Sequence, residues 1–292
     1  MCNNMTKIID GKNFATEICK KLALETQSLK EQYNITPGLA VILVGSDPAS
    51  QVYVGNKNKK AKNIGFLSKE ILLPDNISED ALLSEINKLN KDKDIHGILV
   101  QLPLPKHINK DKVINAIDAK KDVDGFNIKN VGKLYTGQDS LVPCTPQGCL
   151  MLLEDFFAND LSGKNAVIIG RSNIVGRPMS ELLLQKNCTT TIIHSKTKNM
   201  QEILVKADII VAAVGIANFI TAKMIKDNAV IIDVGINRIK LNDKYKLVGD
   251  VDFSSVHDKV AAITPVPGGV GPMTIACLMK NTLKAAKSTI DD

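Results

Sequence analysis

Apolar and polar positions alternate along the chain in two patterns that follow one another. Short, mostly β-branched apolar runs are typical of buried parallel strands, and they occupy residues 39–45, 96–104, 165–170, 189–194, 207–215, 228–235 and 259–266. Helical periodicity separates these runs, at residues 11–31, 50–64, 78–90, 146–159, 176–187 and 272–287. Strands that alternate with helices indicate βαβ units, so the pattern predicts an α/β protein with a parallel sheet.

The segment "YTGQDSLVPCTPQG" (135–148) predicts a domain boundary, because it combines turn residues with two prolines and precedes a predicted helix. A chain of 292 residues also suits two domains of ordinary size. The part after residue 163 has the pattern of a self-contained nucleotide-binding unit. We therefore expect two domains.

Composition narrows the class of protein. With 44% hydrophobic and 23% charged residues, the chain can bury a core. Apolar runs such as "IIVAAV" (209–214) are far shorter than the ~20 residues that span a membrane. The N-terminus "MCNNMTKIIDGKNF" lacks the pattern of a secretory signal, so we expect a cytoplasmic protein with no membrane partner.

The residues that usually bind metals or nucleic acids are not grouped. Six cysteines without a Cys-x-x-Cys pair predict reduced, structural thiols, and four unclustered histidines predict no metal site. The net charge of +6 comes from lysines spread along a chain with four tyrosines and no tryptophan. Without a nucleic-acid motif, this charge favours a lysine-rich surface over a nucleic-acid partner.

The stretch "KNAVIIGRSNIVGRPMSELLLQK" (164–186) predicts a strand, a glycine turn and a helix in succession. Gly170 and Gly176 stand six residues apart, so the strict Gly-x-Gly-x-x-Gly fingerprint is not present. Gly170 still permits a tight turn, and Gly176 permits close approach of the backbone to a ligand at the helix N-terminus. An ordinary strand-to-helix turn is the alternative, but the context favours nucleotide binding.

The end of the second strand indicates which cofactor binds. NAD sites usually carry an acidic residue there, for the ribose 2′-hydroxyl, but this strand ends in "HSKTK" (194–198) and no acid lies between Leu182 and Met200. Arg171 and Ser195 can hold a 2′-phosphate instead, which favours NADP over NAD. Two further strand ends, "AAVG" (212–215) and "DVGIN" (233–237), are expected at the rim where the nicotinamide lies.

The stretch "YVGNK" (53–57) places Tyr53 and Lys57 four residues apart. On a helix they share one face, with Cβ atoms roughly 5–6 Å apart. Spacing alone does not separate a functional lysine from a solvated charge. Three other features carry possible chemistry: Gln101 within "GILVQLPLP", Asp122 and Asp124 in the loop "KKDVDGFN", and the glycine-rich turn "TPVPGGVGPMT".

Taken together, these motifs resemble the bifunctional methylenetetrahydrofolate dehydrogenase/cyclohydrolase family. The resemblance rests on "SQVYVGNKNKKAKNIG", "GILVQLPLP", "KDVDGFN", "PCTPQG", "GRSNIVGRPM" and "PVPGGVGPMT", in the family's order from residue 46 to 274. It implies a catalytic, folate-binding α/β domain formed by residues 1–143 and 272–292, with a Rossmann-type NADP-binding domain at 144–271. It also implies a homodimer, and a tetrahydrofolate substrate that lies between the domains.

The resemblance further implies two reactions. Hydride transfer to NADP⁺ oxidises 5,10-methylenetetrahydrofolate to the methenyl form, and water then opens that form to 10-formyltetrahydrofolate. Lys57 resembles the family's proton-transfer lysine, whose pKa must fall for it to act as a base, and Gln101 the glutamine that holds it. Tyr53 resembles the tyrosine that stacks on the folate, and Asp124 the aspartate that binds the pterin's amino edge.

Two sets of contacts follow from this resemblance. The expected substrate contacts are Tyr53, Lys57, Val100, Gln101, Leu102, Asp124, Pro267, Gly268, Gly269, Val270 and Gly271. The expected cofactor contacts are Gly170, Arg171, Ser172, Val175, Gly176, Ser195, Val214, Gly215 and Ile236.

Two other functions remain as alternatives. One is an NADP oxidoreductase similar to shikimate dehydrogenase, which needs a set of polar groups for a carboxylate in the N-terminal half. The other is a non-catalytic folate- or nucleotide-binding protein. The presence of both Lys57 and Asp124 weighs against the second alternative, and Asp122 is interpreted as structural.

Overall fold

A computed structural model describes residues 6–241 and 244–290, and the chain divides into two compact units. The large-sheet unit contains the chain up to Ala15 and Thr145–Thr274. The small-sheet unit contains Thr16–Cys144 and the chain from Ile275 onward.

Helices and strands alternate through most of the chain, as the sequence predicts. The helices are α1 (Gly11–Tyr33), α2 (Pro48–Asn63), α3 (Glu79–Lys91), α4 (Lys110–Ala116), α5 (Ile128–Tyr135), α6 (Cys144–Phe156), α7 (Gly176–Gln185), α8 (Met200–Leu204), α9 (Phe253–Val256) and α10 (Val270–Lys287). The strands are β1 (Lys7–Ile8), β2 (Gly38–Val44), β3 (Leu67–Leu73), β4 (Gly97–Val100), β5 (Asn165–Ile169), β6 (Thr189–Ile193), β7 (Ile209–Ala212), β8 (Val230–Asp233), β9 (Asn237–Leu241), β10 (Lys244–Val248) and β11 (Ala262–Ile263).

The large-sheet unit is built on a parallel sheet with strand order β1-β11-β8-β7-β5-β6. Every residue of β7 and β8 is buried, as expected of strands covered on both faces. One apolar cluster includes Ile210 and Ile231 of these strands and extends to Leu204 of α8. Burial on both faces therefore explains the uninterrupted apolar runs in this half of the sequence.

The small-sheet unit contains a parallel sheet with strand order β3-β2-β4. All seven residues of the central strand β2 are buried. Helix α3 contributes Leu82, Ile86 and Leu89 to the same core, and this spacing makes one apolar stripe along the helix. The strands β2 and β4 are thus anchored in this core. The predicted site residues Lys57 and Gln101 lie in the segments that follow these two strands.

Several elements differ from the predicted pattern. Strand β3 was not predicted, because its polar residues interrupt the apolar run and it lies at the sheet edge with only partial burial. The antiparallel pair β9–β10 was also not predicted. The predicted strand 96–104 ends at Val100, and the predicted strand 259–266 is reduced to β11.

The compact units and the predicted domains differ at the N-terminal end of the chain. The prediction assigns residues 1–143 to the catalytic domain, whereas the chain up to Ala15 belongs to the large-sheet unit. The cause is the pairing of β1 with β11, in which Lys7 lies beside Ala262. The sequence carries no local signal for this long-range pairing, because β1 is only two residues long.

Two other predictions concern cysteines and membranes. The cysteines in the described part of the chain are buried: Cys19, Cys144, Cys149, Cys188 and Cys277. Cys2 lies outside the described residues. Among the described helices, none is long and apolar enough to cross a membrane.

Adjacent leucines on α7 provide a test of the packing in the large-sheet unit. Leu183 is fully buried, whereas Leu184 is 54% exposed. We expect Leu183→Ala to lower the free energy of unfolding by about 2–5 kcal/mol, because it leaves a cavity in the core. The matched variant Leu184→Ala is expected to change it by less than about 0.5 kcal/mol. Denaturant unfolding measures both, and equal effects would contradict the packing described here.

Candidate active site

Helix α2 begins with a cap that fixes the first turn before Tyr53 and Lys57. The carboxylate of Asp47 accepts a hydrogen bond from the backbone N–H of Ser50 at 2.8 Å, and Pro48 occupies the first turn. Tyr53 and Lys57 lie four residues apart within this helix, so they share a face. The Tyr53 side chain is 39% exposed and its ring remains accessible, while Lys57 is buried.

The amine of Lys57 is held by Gln101. Lys57 Nζ donates to Gln101 Oε1 at 2.9 Å. The amide nitrogen of Gln101 donates to the carbonyl of Leu102 at 2.7 Å, and its backbone N–H donates to the carbonyl of Ile42 at 2.8 Å. Because the backbone and the amide nitrogen are both tied down, the amide oxygen of Gln101 is directed at the lysine.

Asp124 lies near the same lysine. Burial raises the pKa of the Asp124 carboxyl, while the positive charge of Lys57 and a hydrogen bond from the Cys144 thiol lower it. Burial also raises the pKa of the Cys144 thiol well above its ordinary value, so this thiol remains a protonated donor. The small-sheet unit therefore brings together a lysine amine, a neutral amide, a carboxylate and a thiol.

The turn after Asp124 requires glycine. Gly125 has a φ of +74°, and a Cβ at this position would lie 2.6 Å from the Leu141 carbonyl oxygen and the Pro143 nitrogen. Another side chain would therefore displace the segment that leads to Cys144. Glycine keeps Asp124 and Cys144 in contact.

Asp122 organises the loop that contains Asp124. Its carboxylate accepts hydrogen bonds from the Asn127 backbone N–H at 2.7 Å and from the Asn130 side chain at 2.9 Å. Burial raises the pKa of Asp122 to about 6, despite these hydrogen bonds. Asp122 is only 1% exposed, a position suited to holding the loop together.

The remaining substrate-contact predictions in this unit lie at the end of β4. The side chain of Val100 belongs to the hydrophobic core, so only its backbone is free to face a ligand. Leu102 is partly buried and precedes Pro103 through a cis peptide bond.

In the large-sheet unit, the predicted cofactor residues follow successive strands of one parallel sheet. The carboxyl ends of parallel strands meet at one edge, and a ligand binds where the connections from neighbouring strands diverge. From β5 the chain crosses to β6 on one side and later to β7 on the other. Read along the strand order, the predicted cofactor contacts lie after β6 (Ser195), β5 (Gly170, Arg171, Ser172, Val175, Gly176), β7 (Val214, Gly215) and β8 (Ile236). Five of the predicted substrate contacts follow β11 in the same unit: Pro267, Gly268, Gly269, Val270 and Gly271.

The glycine turn after β5 is closely packed. A Cβ on Gly176 would overlap the carbonyl oxygen of Gly170, and a Cβ on Gly170 would overlap that of Ala213. The hydroxyl of Ser172 accepts a hydrogen bond from the Val175 N–H at 3.1 Å. The turn therefore brings the exposed Arg171 and Ser172 to the N-terminus of α7, where backbone N–H groups favour an anion.

The end of β6 forms a short turn that presents Ser195. The Thr197 hydroxyl accepts from the His194 N–H at 2.9 Å, and His194 Nδ1 accepts from the Lys196 N–H at 3.1 Å. Ser195 and Lys196 are exposed on this turn. No carboxylate side chain lies in it, which agrees with the NADP prediction.

The turn 267–269, which leads into α10, packs on the start of α1. The Gly268 carbonyl accepts from the Lys12 N–H at 2.8 Å, and a Cβ on Gly11 would overlap the Gly269 carbonyl oxygen. At Gly271 there is more room, since a Cβ there would meet only the Ile236 side chain, at 4.0 Å. The first turn of α10 therefore lies beside Ile236, which is 48% exposed.

Two buried carboxylates in the large-sheet unit were not identified from sequence. Asp233 accepts from the N–H groups of Gly235, Asp250 and Val251 at 2.9–3.0 Å. Burial raises the pKa of Asp233 to about 6. The carboxylate of Asp250 in turn accepts from the N–H groups that follow β7. The sequence signal is weak: an acid lies within two residues of a glycine in "DVG" (233–235) and "GDV" (249–251), which is common in turns.

Within residues 6–241 and 244–290, no group of three His, Cys, Asp or Glu side chains is placed to hold a metal ion.

Comparison with protein families identifies the chain. The model of the tetrahydrofolate dehydrogenase/cyclohydrolase catalytic domain matches residues 9–124, and that of the NAD(P)-binding domain of the same family matches residues 143–290. The chain belongs to the tetrahydrofolate dehydrogenase/cyclohydrolase family. The predicted family and the predicted two-domain α/β fold are thereby confirmed.

Individual members of the family are similar over almost their whole length. The bifunctional protein FolD of Wolbachia pipientis from Culex pipiens is 58% identical, over 97% of this chain and 96% of its own. The crystal structure of the bifunctional enzyme FolD from Campylobacter jejuni has a TM-score of 0.93 at 47% identity, covering 97% of this chain and 99% of its own. The FolD structure from Trypanosoma brucei, complexed with NADP and an inhibitor, has a TM-score of 0.93 at 38% identity, with 98% and 99% covered.

Membership of the tetrahydrofolate dehydrogenase/cyclohydrolase family confirms the nucleotide-binding prediction for the second half of the chain, as NAD(P) binding. It also removes the shikimate-dehydrogenase-like alternative. The family models do not assign roles to single residues, so the roles of Lys57, Gln101, Asp124 and Tyr53 stay predictions.

The raised pKa of Asp122 predicts a pH dependence of stability. A carboxyl with a pKa of about 6 in the folded chain and 3.8 as its ordinary value favours the folded state most below pH 3.8. This contribution is lost as the pH rises through 6, and its size is about 3 kcal/mol. In Asp122→Asn, which cannot titrate, we expect the free energy of unfolding to fall less between pH 4 and pH 7 than in the wild type. Denaturant unfolding across that range measures this, and parallel curves for the two proteins would contradict it.

Proposed function

We propose that the chain oxidises 5,10-methylenetetrahydrofolate to the methenyl form with NADP⁺ and hydrolyses that form to 10-formyltetrahydrofolate. The observation that carries this proposal is the buried Lys57 amine on Gln101 beside Asp124, in a member of this family. Assembly as a homodimer belongs to the same proposal.

The large-sheet unit binds the cofactor and aligns it. Arg171 and Ser195 hold the 2′-phosphate, with the guanidinium as a charge-assisted donor. The turn from Gly170 to Gly176 lets the diphosphate approach the N-terminus of α7. When bound, NADP⁺ accepts the hydride of the first reaction. The contribution of the protein to that step is alignment, because the redox chemistry belongs to the cofactor.

The small-sheet unit binds the folate and moves protons. The Tyr53 ring stacks on the flat substrate, and the Asp124 carboxylate accepts hydrogen bonds from the amino edge of the pterin. This carboxylate also fixes the substrate's orientation, which keeps the reacting carbon near Lys57.

Hydrolysis of the methenyl form needs a positioned proton acceptor. Water adds to the cationic carbon, a proton leaves the water, and the carbon–nitrogen bond to N5 breaks to give the 10-formyl product. Lys57 takes up one proton of the attacking water and returns it to N5 as that bond breaks. The remaining hydroxyl proton is released to solvent as the carbon–oxygen bond becomes the formyl carbonyl. Gln101 holds the amine through a neutral oxygen, which orients it without adding a second full negative charge beside that of Asp124.

The proposal predicts that Lys57→Met lowers the rate of hydrolysis and leaves NADP binding unchanged. We expect the wild type, mixed with methylenetetrahydrofolate and NADP⁺, to form NADPH, measured by absorbance. In Lys57→Met, hydrolysis of supplied methenyltetrahydrofolate is expected to fall by about 10²–10⁴-fold, because the proton acceptor is gone. NADP binding, measured by calorimetry, should remain normal, since Lys57 lies in the small-sheet unit.

The matched control is Lys59→Met, which removes an exposed lysine from the same helix and should leave both activities unchanged. Near-normal hydrolysis by Lys57→Met would remove the role proposed for Lys57. A folded wild type that forms no NADPH would remove the dehydrogenase activity and favour the non-catalytic alternative.

The preference for NADP is tested at Arg171. We expect Arg171→Ala to weaken NADP binding by about 10- to 100-fold, the loss of hydrogen bonds from a charged donor, and to weaken NAD binding much less. As a control, Lys164→Ala removes a cation from the other edge of the sheet, where Lys164 Nζ lies 4.5 Å from the centre of the Phe157 ring. Isothermal calorimetry measures all three proteins. Equal losses for NADP and NAD would mean that Arg171 does not read the 2′-phosphate.

A further inference from the structure

Asp250 is a fully buried carboxylate at the carboxyl edge of the large-sheet unit, with no exposed surface. Its Oδ2 accepts hydrogen bonds from the N–H groups of Val214 at 2.6 Å and Gly215 at 2.9 Å. Its Oδ1 accepts from the Ile216 N–H at 3.0 Å and from the Asn237 side chain at 2.8 Å. A single side chain therefore ties together the segments that follow β7 and β8.

Asp250 is itself held by Asp233. The Asp233 carboxylate accepts from the N–H groups of Asp250 at 3.0 Å and Val251 at 2.9 Å. Two glycines make room for the pair, because a Cβ on Gly235 would overlap Asp250 and a Cβ on Gly249 would overlap Asp233. The arrangement leaves little freedom for either carboxylate, so the loop 214–216 has a fixed partner.

The loop 214–216 follows β7, on the side of the sheet where the nicotinamide half of the cofactor is expected. In a dinucleotide site the diphosphate lies at the first glycine turn, here between β5 and α7, and the adenosine half lies toward the second strand, here β6. The nicotinamide half then lies on the opposite side, over the ends of β7 and β8. Val214, Gly215 and Ile236 occupy those ends.

We propose that Asp250 is a positioning residue for the nicotinamide half of the cofactor: it fixes the 214–216 loop and Asn237, and through them the surface that receives the nicotinamide ring. This inference rests on the proposed function. Because the N–H groups of Val214 and Gly215 are used by Asp250, these two residues contact the cofactor through their carbonyl oxygens and the Val214 side chain. Asp250 acts through the loop and does not touch the cofactor itself.

The test compares three measurements on Asp250→Asn. The substitution replaces one accepting oxygen with an NH₂ donor that faces other donors, so the loop must move. We expect the kcat of dehydrogenation to fall by about 10- to 100-fold, since small displacements at a reacting centre have effects of this size. Binding of 2′,5′-ADP, which lacks the nicotinamide half, and hydrolysis of supplied methenyltetrahydrofolate, which needs no cofactor, are expected to stay unchanged.

Two further variants serve as control and second test. The control is Asp208→Asn. The Asp208 carboxylate lies before β7, at the other edge of the sheet, and accepts a hydrogen bond from the Asn165 N–H at 2.7 Å. This variant should leave all three measurements unchanged. Asn237→Ala removes one of the four donors to Asp250 and should lower dehydrogenation alone, to a smaller extent. If Asp250→Asn does not fold, the dehydrogenation rate of Asn237→Ala tests the proposal.

The outcomes separate positioning from general stability. A parallel loss of all three measurements in Asp250→Asn, or normal dehydrogenation in that variant or in Asn237→Ala, would overturn the proposal. If the wild type binds NADP⁺ but forms no NADPH, the proposed function fails. The affinities of Asp250→Asn for NADP⁺ and 2′,5′-ADP then decide the role of Asp250: selective weakening of NADP⁺ binding supports it and equal affinities oppose it.

Discussion

The parallel pairing of β5 with β6 on one side and β7 on the other is the constraint on which the large-sheet unit depends. Parallel strands bring all their carboxyl ends to one edge, so residues far apart in sequence become neighbours there. The glycine turn after β5, the Ser195 turn after β6 and the Asp250-bound loop after β7 all arise from this pairing. The backbone hydrogen bonds of the sheet thus set the order of the functional groups along the edge, and side chains adjust it locally.

The small-sheet unit applies the same rule with fewer strands. Strand β2 leads into α2, which contains Lys57, and its neighbour β4 ends one residue before Gln101. The 2.9 Å contact between the lysine amine and the amide joins side chains 44 positions apart in the chain. The buried strand β2 fixes the position of Gln101, because the backbone N–H of Gln101 donates to the carbonyl of Ile42 in this central strand.

Much of this architecture could be predicted from sequence, because the strands β2, β5, β7 and β8 are continuous apolar runs covered on both faces. The pattern fails where burial is partial or pairing is distant. Strand β3 mixes polar and apolar residues at an edge, and β1 is two residues that pair with a strand more than 250 positions away. Neither carries a local signal strong enough to distinguish it from a loop.

The candidate site shows the same division between local and distant signals. Tyr53 and Lys57 could be placed on one face because helical spacing is local. Cys144 and Asp250 were not identified, since a thiol donor to Asp124 and a carboxylate that binds three consecutive N–H groups depend on contacts formed only after folding. Val100 was predicted as a ligand contact from its neighbours in the motif. Its side chain lies in the hydrophobic core, which the motif alone does not indicate.

The Asp250 carboxylate also has a thermodynamic consequence. A loop that is mobile in the free protein must lose conformational entropy when it closes on a ligand, and that loss reduces affinity. Here four hydrogen bonds to one buried side chain already order residues 214–216 and Asn237 during folding. The entropy loss belongs to the folding reaction, so a ligand that arrives at the ends of β7 and β8 meets a surface that is already rigid.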